Sequence, residues 1–209
     1  MTRLLSNMLA GLRRLARARD GATAVEFALI SIPLMLLTFG VLELVLILLV
    51  SATLEQATDF AARNIRTGVF QATASDPTNP STSVSKADFE GLVCRNMTWL
   101  KPVCEADKTL PTDAEGRLFV EAQTFSTFGE AGAQAPRDPT NFDPSKTCWA
   151  VGNPEDIVVV RTYFKWPIIT PLLQPLFENY NHGRLISTTR LFRNEPFNPA
   201  LRRTGTSPC

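Results

Sequence analysis

The feature that most constrains this chain is an apolar run from Phe27 to Val50, broken by a single charge, Glu43. Roughly 24 residues at ~1.5 Å per residue make ~36 Å of helix, enough to cross a hydrocarbon core of ~30 Å. Before Gly21 stand Arg3, Arg13, Arg14, Arg17 and Arg19 against one acid, Asp20. By the positive-inside rule that asymmetry keeps the N-terminus cytoplasmic and sends everything after Val50 outward. A secretory signal has a shorter apolar core of ~7–15 residues followed by a small-residue cleavage site. Here the run leaves through Ser51-Ala52-Thr53-Leu54-Glu55 with no such site.

The processing point that the sequence does offer lies before the run. Gly21 is followed by Ala22-Thr23-Ala24-Val25 and then Glu26-Phe27. Glycine, a short spacer and Glu-Phe directly before a membrane helix resemble a prepilin-peptidase site, with cleavage between Gly21 and Ala22. Glu26 would then be the fifth residue of the mature chain. A carboxylate at the start of a membrane helix is costly unless it is paired or protonated. The bland alternative is an acid favoured by the positive end of the helix macrodipole. Glu43, deeper in the run, faces a polar group or another subunit, or else marks the membrane edge.

The helical pattern continues past the membrane. Leu54, Ala57, Ala61 and Ile65 keep a period near 3.6, with Glu55, Gln56, Asp59, Arg63 and Arg66 on the other faces. Gly68 is a natural stop. One helix from Ala22 to Arg66 is therefore expected, bent near Ser31–Pro33 where proline removes a backbone hydrogen bond. Its second half would pack on an outer domain of roughly 140 residues, enough for one hydrophobic core.

In that domain, residues 71–85 read as a polar linker and Ser85-Lys86-Ala87-Asp88 as a capping box opening a helix to about Met97. In that helix Phe89, Leu92 and Val93 face the core. Arg117–Phe125 alternates, with Leu118, Val120 and Ala122 on one side and Phe119, Glu121 and Gln123 on the other. Residues 129–147 read as a long loop. Asp156–Trp166 is dense in β-branched and aromatic residues and is the strongest strand signal; Arg184–Arg193 is a third strand. The three prolines between Trp166 and Pro175 exclude one regular element there. The expected fold is α+β: a long N-terminal membrane-spanning helix followed by a small antiparallel sheet domain. Its parts are a leader at 1–21, the long helix at 22–70 and an outer α+β domain at 71–209.

Cys94, Cys104, Cys148 and Cys209 all fall on the outer side, where an oxidising compartment permits disulfides. Of three connectivities, the sequence favours Cys94 with Cys104, a short loop whose closure contributes roughly 2.5–3 kcal/mol. Cys148 with Cys209 follows by elimination. No metal site is expected: there is no C-x-x-C, and His182, the one histidine, is not spaced for zinc. The net charge of +1 argues for no nucleic acid partner. There is no G-x-S-x-G and no Gly-rich phosphate loop, and Asn181-His182-Gly183 reads as a turn, so neither catalysis nor a cofactor is expected. Arg190 and Arg193 read as solvated strand arginines.

The chain is similar to the TadE-like minor pilins, or pseudopilins, of the tight-adherence (Flp) pilus system. The residues that carry the resemblance are Asp20-Gly21-Ala22-Thr23-Ala24-Val25-Glu26-Phe27-Ala28, Phe39-Gly40-Val41-Leu42-Glu43, Ile65-Arg66-Thr67-Gly68, and Phe192-Arg193-Asn194-Glu195-Pro196-Phe197. The resemblance implies a prepilin-peptidase substrate held in the bacterial inner membrane. Its domain would be periplasmic, and its partners other pilins, pseudopilins and the pilus assembly machinery. It implies assembly roles for Glu26, Phe27 and Glu43, with Glu26 facing the new α-amine of Ala22 on a neighbouring subunit. The rival expectation is an uncleaved, signal-anchored periplasmic scaffold or binding protein that never enters a filament.

Overall fold

A computed structural model describes residues 21–69, 85–106 and 117–196. The leader before Gly21, the linker at 71–84, the C-terminal tail and Cys209 lie outside the described residues. The chain divides into two units between Leu44 and Val45.

Helix α1 spans Ala22–Arg66, with Pro33 inside it. Its stop follows from local chemistry. Arg63 and Arg66 in the last turn complement the negative end of the macrodipole. Gly68 takes φ 75°, a left-handed conformation that glycine adopts without penalty. From there its N–H bonds Ile65 O at 3.0 Å, satisfying a carbonyl the helix leaves open.

From Val45 onward the structure is α+β. Leu54, Ala57, Ala61 and Ile65 form a buried stripe on α1, as the apolar period predicts, and Ile47 and Val50 from the end of the apolar run extend it. Removing each large side chain of such a stripe from water stabilises by about 1.5–3 kcal/mol. The stripe packs on a three-stranded antiparallel sheet of β1 (Leu118–Phe125), β2 (Ile157–Pro167) and β3 (Gly183–Arg193), in that spatial order. Val120 stands opposite Thr162, and Thr162 opposite Thr188. Because strand side chains alternate, this register puts Leu118, Val120, Ala122, Val158, Val160, Phe164 and Trp166 into one core with the α1 stripe. At its centre the hydroxyls of Thr58 and Thr162, both buried, meet at 2.6 Å.

Helix α2 (Lys86–Asn96) opens with the reciprocal capping box: Asp88 N–H donates to Ser85 Oγ at 3.1 Å, and Ser85 N–H to the Asp88 carboxylate at 3.3 Å. Phe89, Val93 and Cys94 are buried in the main core, and Leu92 is half-buried against it. A disulfide joins Cys94 to Cys104 of α3 (Lys101–Ala106), with Cα atoms 5.6 Å apart. Cys148 is also disulfide-bonded; its expected partner, Cys209, is among the residues not described.

The structure differs from the sequence expectation at 129–147. That segment is not an irregular loop. It holds α4 (Phe128–Ala133), capped by Thr127, and two one-turn helices, Pro139–Asn141 and Pro144–Lys146. Each of the latter is opened by an Asp-Pro pair. Asp138 Oδ1 accepts from Thr140 N–H at 2.9 Å and Asp143 Oδ1 from Ser145 N–H at 3.0 Å. These carboxylates sit below their ordinary pKa, held there first by the Thr140 and Ser145 hydroxyls. The composition is that of a loop, yet the Asx bonds make each piece rigid. The segment lies over the second face of the sheet, where Phe142 packs on Phe119, Tyr163 and Leu185, and Ala131 on Ile157 and Val159.

Replacing Cys94 and Cys104 together by serine is expected to lower unfolding stability by about 2.5–3 kcal/mol, read from chemical denaturation of the full-length protein in detergent. Wild-type stability in that variant would show that the bridge constrains nothing the packing does not already hold.

Candidate functional site

The first unit carries the surface that the sequence singles out. Gly21 precedes α1 and is exposed. Among the described residues, a Cβ built on it meets nothing within 4 Å. The described residues therefore place no steric demand for glycine there. One turn on, Glu26 is exposed, and Phe27 is 72% exposed. Around them Val25, Leu29, Ile30, Ile32, Leu34 and Leu37 are also exposed.

Ser31 and Thr38 bond within the helix. Ser31 Oγ donates to Ala28 O at 3.1 Å and Thr38 Oγ1 to Leu34 O at 2.8 Å. Farther on, Ser51 Oγ donates to Ile47 O and Thr53 Oγ1 to Leu49 O, both at 2.8 Å. Such bonds satisfy these four hydroxyls within the helix itself. α1 is long and apolar enough to cross a membrane, and a helix of this kind serves as a membrane anchor. Glu43 stands apart: it is 2% exposed, while Leu42 and Leu44 on either side are exposed. Burial sets it apart from the exposed apolar residues of the same run.

The second unit holds two charged constellations. Arg190 of β3 reaches the two acids that α1 presents one turn apart. Its Nη2 donates to Glu55 Oε1 at 2.7 Å and to Asp59 Oδ2 at 3.1 Å, and its Nε bonds Asp59 Oδ1. The Asp59 hydrogen bond, then partial burial against it and the Glu55 bond, leave the guanidinium pKa raised overall. Arg190 is thus a helix-to-sheet strut, where the sequence suggested a solvated side chain. The sequence signal was the i, i+4 pair of acids, but nothing local says that a strand arginine 131 positions away meets it.

The other constellation is buried under α4 and the Asp-Pro turns. Glu121 is 1% exposed and accepts from Arg137 Nη2 at 2.5 Å, Arg137 Nε at 3.1 Å and Gln123 Nε2 at 2.8 Å. Arg161, 3% exposed, brings Nη1 to 3.9 Å from Glu121 and donates Nη2 to Gln134 O at 2.7 Å. Tyr163 Oη lies 3.4 Å from Glu121 Oε2, and burial, the largest cause, pushes its pKa up. Arg137 is raised chiefly by its hydrogen bond to Glu121. The group ties the covering segment to the sheet.

The motif blocks near the two ends of the domain also meet. Glu195 N–H donates to Arg66 O at 2.8 Å, occupying a terminal carbonyl of α1, and the two side chains stand 3.5 Å apart. Asn194 is buried; its Nδ2 donates to Val151 O at 3.1 Å and Asn153 O at 2.9 Å. His182 is 84% exposed at the β2–β3 turn, 3.8 Å from Glu178, and its neighbour Asn181 shares its positive φ. The turn closes on Gly183, where a Cβ would come within 2.7 Å of Trp166 O.

Glu121→Ala is expected to destabilise the fold by about 3 kcal/mol, because it strands buried guanidinium charge without its counter-ion. Thermal or denaturant unfolding of the full-length variant measures this, and a change under about 0.5 kcal/mol, as at ordinary surface sites, would contradict it.

Compared with known proteins, residues 21–63 match the family model described as TadE-like protein. The matched segment begins at Gly21 and ends in the last turns of α1. No curated protein and no solved structure matches the chain.

Proposed function

We propose, from the TadE-like segment at residues 21–63, that this protein is a minor pilin or pseudopilin of a tight-adherence pilus. Its leader is removed between Gly21 and Ala22 by a prepilin peptidase. It stands in the bacterial inner membrane with its N-terminus cytoplasmic and its domain periplasmic. Its partners are other pilins or pseudopilins and the assembly machinery.

The observation that carries this reading is the coincidence at Gly21. The family match starts there, α1 starts one residue later, and no described residue crowds the glycine. A peptidase working beside a membrane, in contrast, needs a small residue with accessible backbone. Glu26 and Phe27, exposed on the first turns of α1, are available to a neighbouring subunit. In an assembled filament the Glu26 carboxylate pairs with the α-amine that cleavage creates on Ala22 of another copy, which relieves the cost of a lone charge in lipid. Glu43 closes the far end of the lipid-facing run, and its burial supports a packing role there.

The N-terminal residue of the protein in wild-type membranes, read by mass spectrometry, is expected to be Ala22. Gly21→Val is expected to leave the full-length precursor, folded but unprocessed, and to abolish piliation. Wild-type processing and normal pili in that variant would sink the proposal. A wild-type start at Met1 or Thr2 would replace it with the uncleaved periplasmic scaffold.

A further inference from the structure

We propose that the tip of the β2–β3 hairpin is a second membrane contact, resting on the lipid surface that α1 enters. This inference rests on α1 being the membrane-crossing helix and on no other part of the proposed function.

The tip is unusual in composition. From Trp166 to Phe177 the chain reads WPIITPLLQPLF, without one charged residue. It folds as a turn of helix at Pro171–Leu173 running into α5 (Gln174–Phe177). One side is used inward: Leu173 is buried, and Phe177 packs on the main core. The other side presents Leu172 and Leu176, 67% and 74% exposed and one turn apart, beside Ile169 at 61%. A short helix apolar on both sides calls for a cover on its outer side. Pro167, Pro171 and Pro175 hold that apolar face in place, so docking it costs little chain entropy.

Its position names the cover. Three links fix how β2 and β3 run along α1. Glu195 meets Arg66, Arg190 meets Asp59 and Glu55, and Thr162 meets Thr58. β2 thus advances toward the N-terminal side of α1. From Thr162 to Pro167 it covers ~17 Å at ~3.3 Å per residue, which matches about 11 residues of helix and reaches the level of Ile47. Trp166 belongs to the same main core as the α1 stripe that begins at Ile47, and Phe177 packs against that core.

At that level the surface of α1 changes character. Glu55, Gln56 and Asp59 are exposed on the domain side, while Val45, Leu48 and Leu49 are exposed on the other. Trp99 marks the boundary. It is half exposed, donates Nε1 to Thr53 Oγ1 at 3.1 Å, and stands edge-on to Trp166 with ring centroids 6.5 Å apart. Indole rings favour the headgroup zone of a bilayer. By the register of β2, the tip therefore stands at the level of α1 where the exposed side chains turn from charged to apolar, the level at which a membrane-crossing α1 leaves lipid. A bilayer is the one surface whose position α1 itself dictates.

The test uses the full-length protein in vesicles of phosphatidylcholine and phosphatidylglycerol, with or without lipid brominated near the top of the acyl chains. Leu172→Trp and Leu176→Trp add an emitter at the tip, and Thr189→Trp adds one on the exposed face of β3 at mid-sheet. Emission from the three native tryptophans is subtracted using the wild type. Emission added at either tip position is expected to fall by about twofold in brominated vesicles, as for a side chain at the acyl boundary, and that added by Thr189→Trp to stay unchanged. Equal quenching at tip and mid-sheet, or none at the tip, overturns the inference. So does a tip emitter shielded from both brominated lipid and aqueous iodide, which would mean that a second copy or another protein covers it. Alkaline extraction separates the two layers of the argument. Protein that stays in the vesicles with an unquenched tip leaves the anchor reading intact, and protein released by alkali overturns both.

Discussion

One helix in this protein must satisfy two solvents. In hydrocarbon, no water is available to a backbone amide, so every N–H and C=O has to find its partner inside the segment. An α-helix does this throughout its interior, and here the hydroxyls of Ser31, Thr38 and Ser51 also bond its own carbonyls. The same helix answers to a sheet from Ile47 onward, and past Val50 to water. There it needs a stripe instead of a sleeve, and Ile47, Val50, Leu54, Ala57, Ala61 and Ile65 supply one. The domain is built on that stripe, and the TadE-like match covers the helix and little else.

The sheet is held to α1 by different forces at different heights. Apolar burial dominates, with Val158, Val160 and Phe164 against the stripe. Polar links then select among the packings that burial alone would allow. The Thr58–Thr162 pair is short and buried, so a slip of one residue would strand two hydroxyls and turn every strand side chain to the wrong face. The Arg190 strut is half solvated and contributes little energy, on the order of 1 kcal/mol or less, yet it restricts where β3 lies. At the far end the backbone of Glu195 occupies a carbonyl that α1 cannot satisfy itself.

The second face of the sheet works on another logic. Glu121, Arg137 and Arg161 form a buried ionic group, which is a poor source of net stability because desolvation offsets most of the attraction. Its value lies in specificity. A segment built from an Asp-Pro turn, a second Asp-Pro turn and a six-residue helix has few apolar side chains with which to choose its seat. Arg137 binds the Glu121 carboxylate and Lys146 O together, and that fixes the seat. Phe142 then fills the space among Phe119, Tyr163 and Tyr180.

Much of this was legible in the residues. The ends of α1, the capping box of α2, the three strands and the sides on which Leu118, Val120 and Ala122 fall all follow from periodicity and local propensity, which act over a few residues. Gly21, Glu26 and Phe27 could be singled out because their meaning lies in linear spacing before a membrane run. Other features had no local signal. That Arg190 meets Asp59, that Glu121 is buried with two arginines, and that residues 129–147 are structured over the sheet all depend on partners brought together from far along the chain. The exposed side of the β2–β3 tip belongs to the same class. An apolar sequence such as ITPLLQPLF is the same string whether buried or exposed, and only the packing of Leu173 and Phe177 decides which side of it is left for something else to cover.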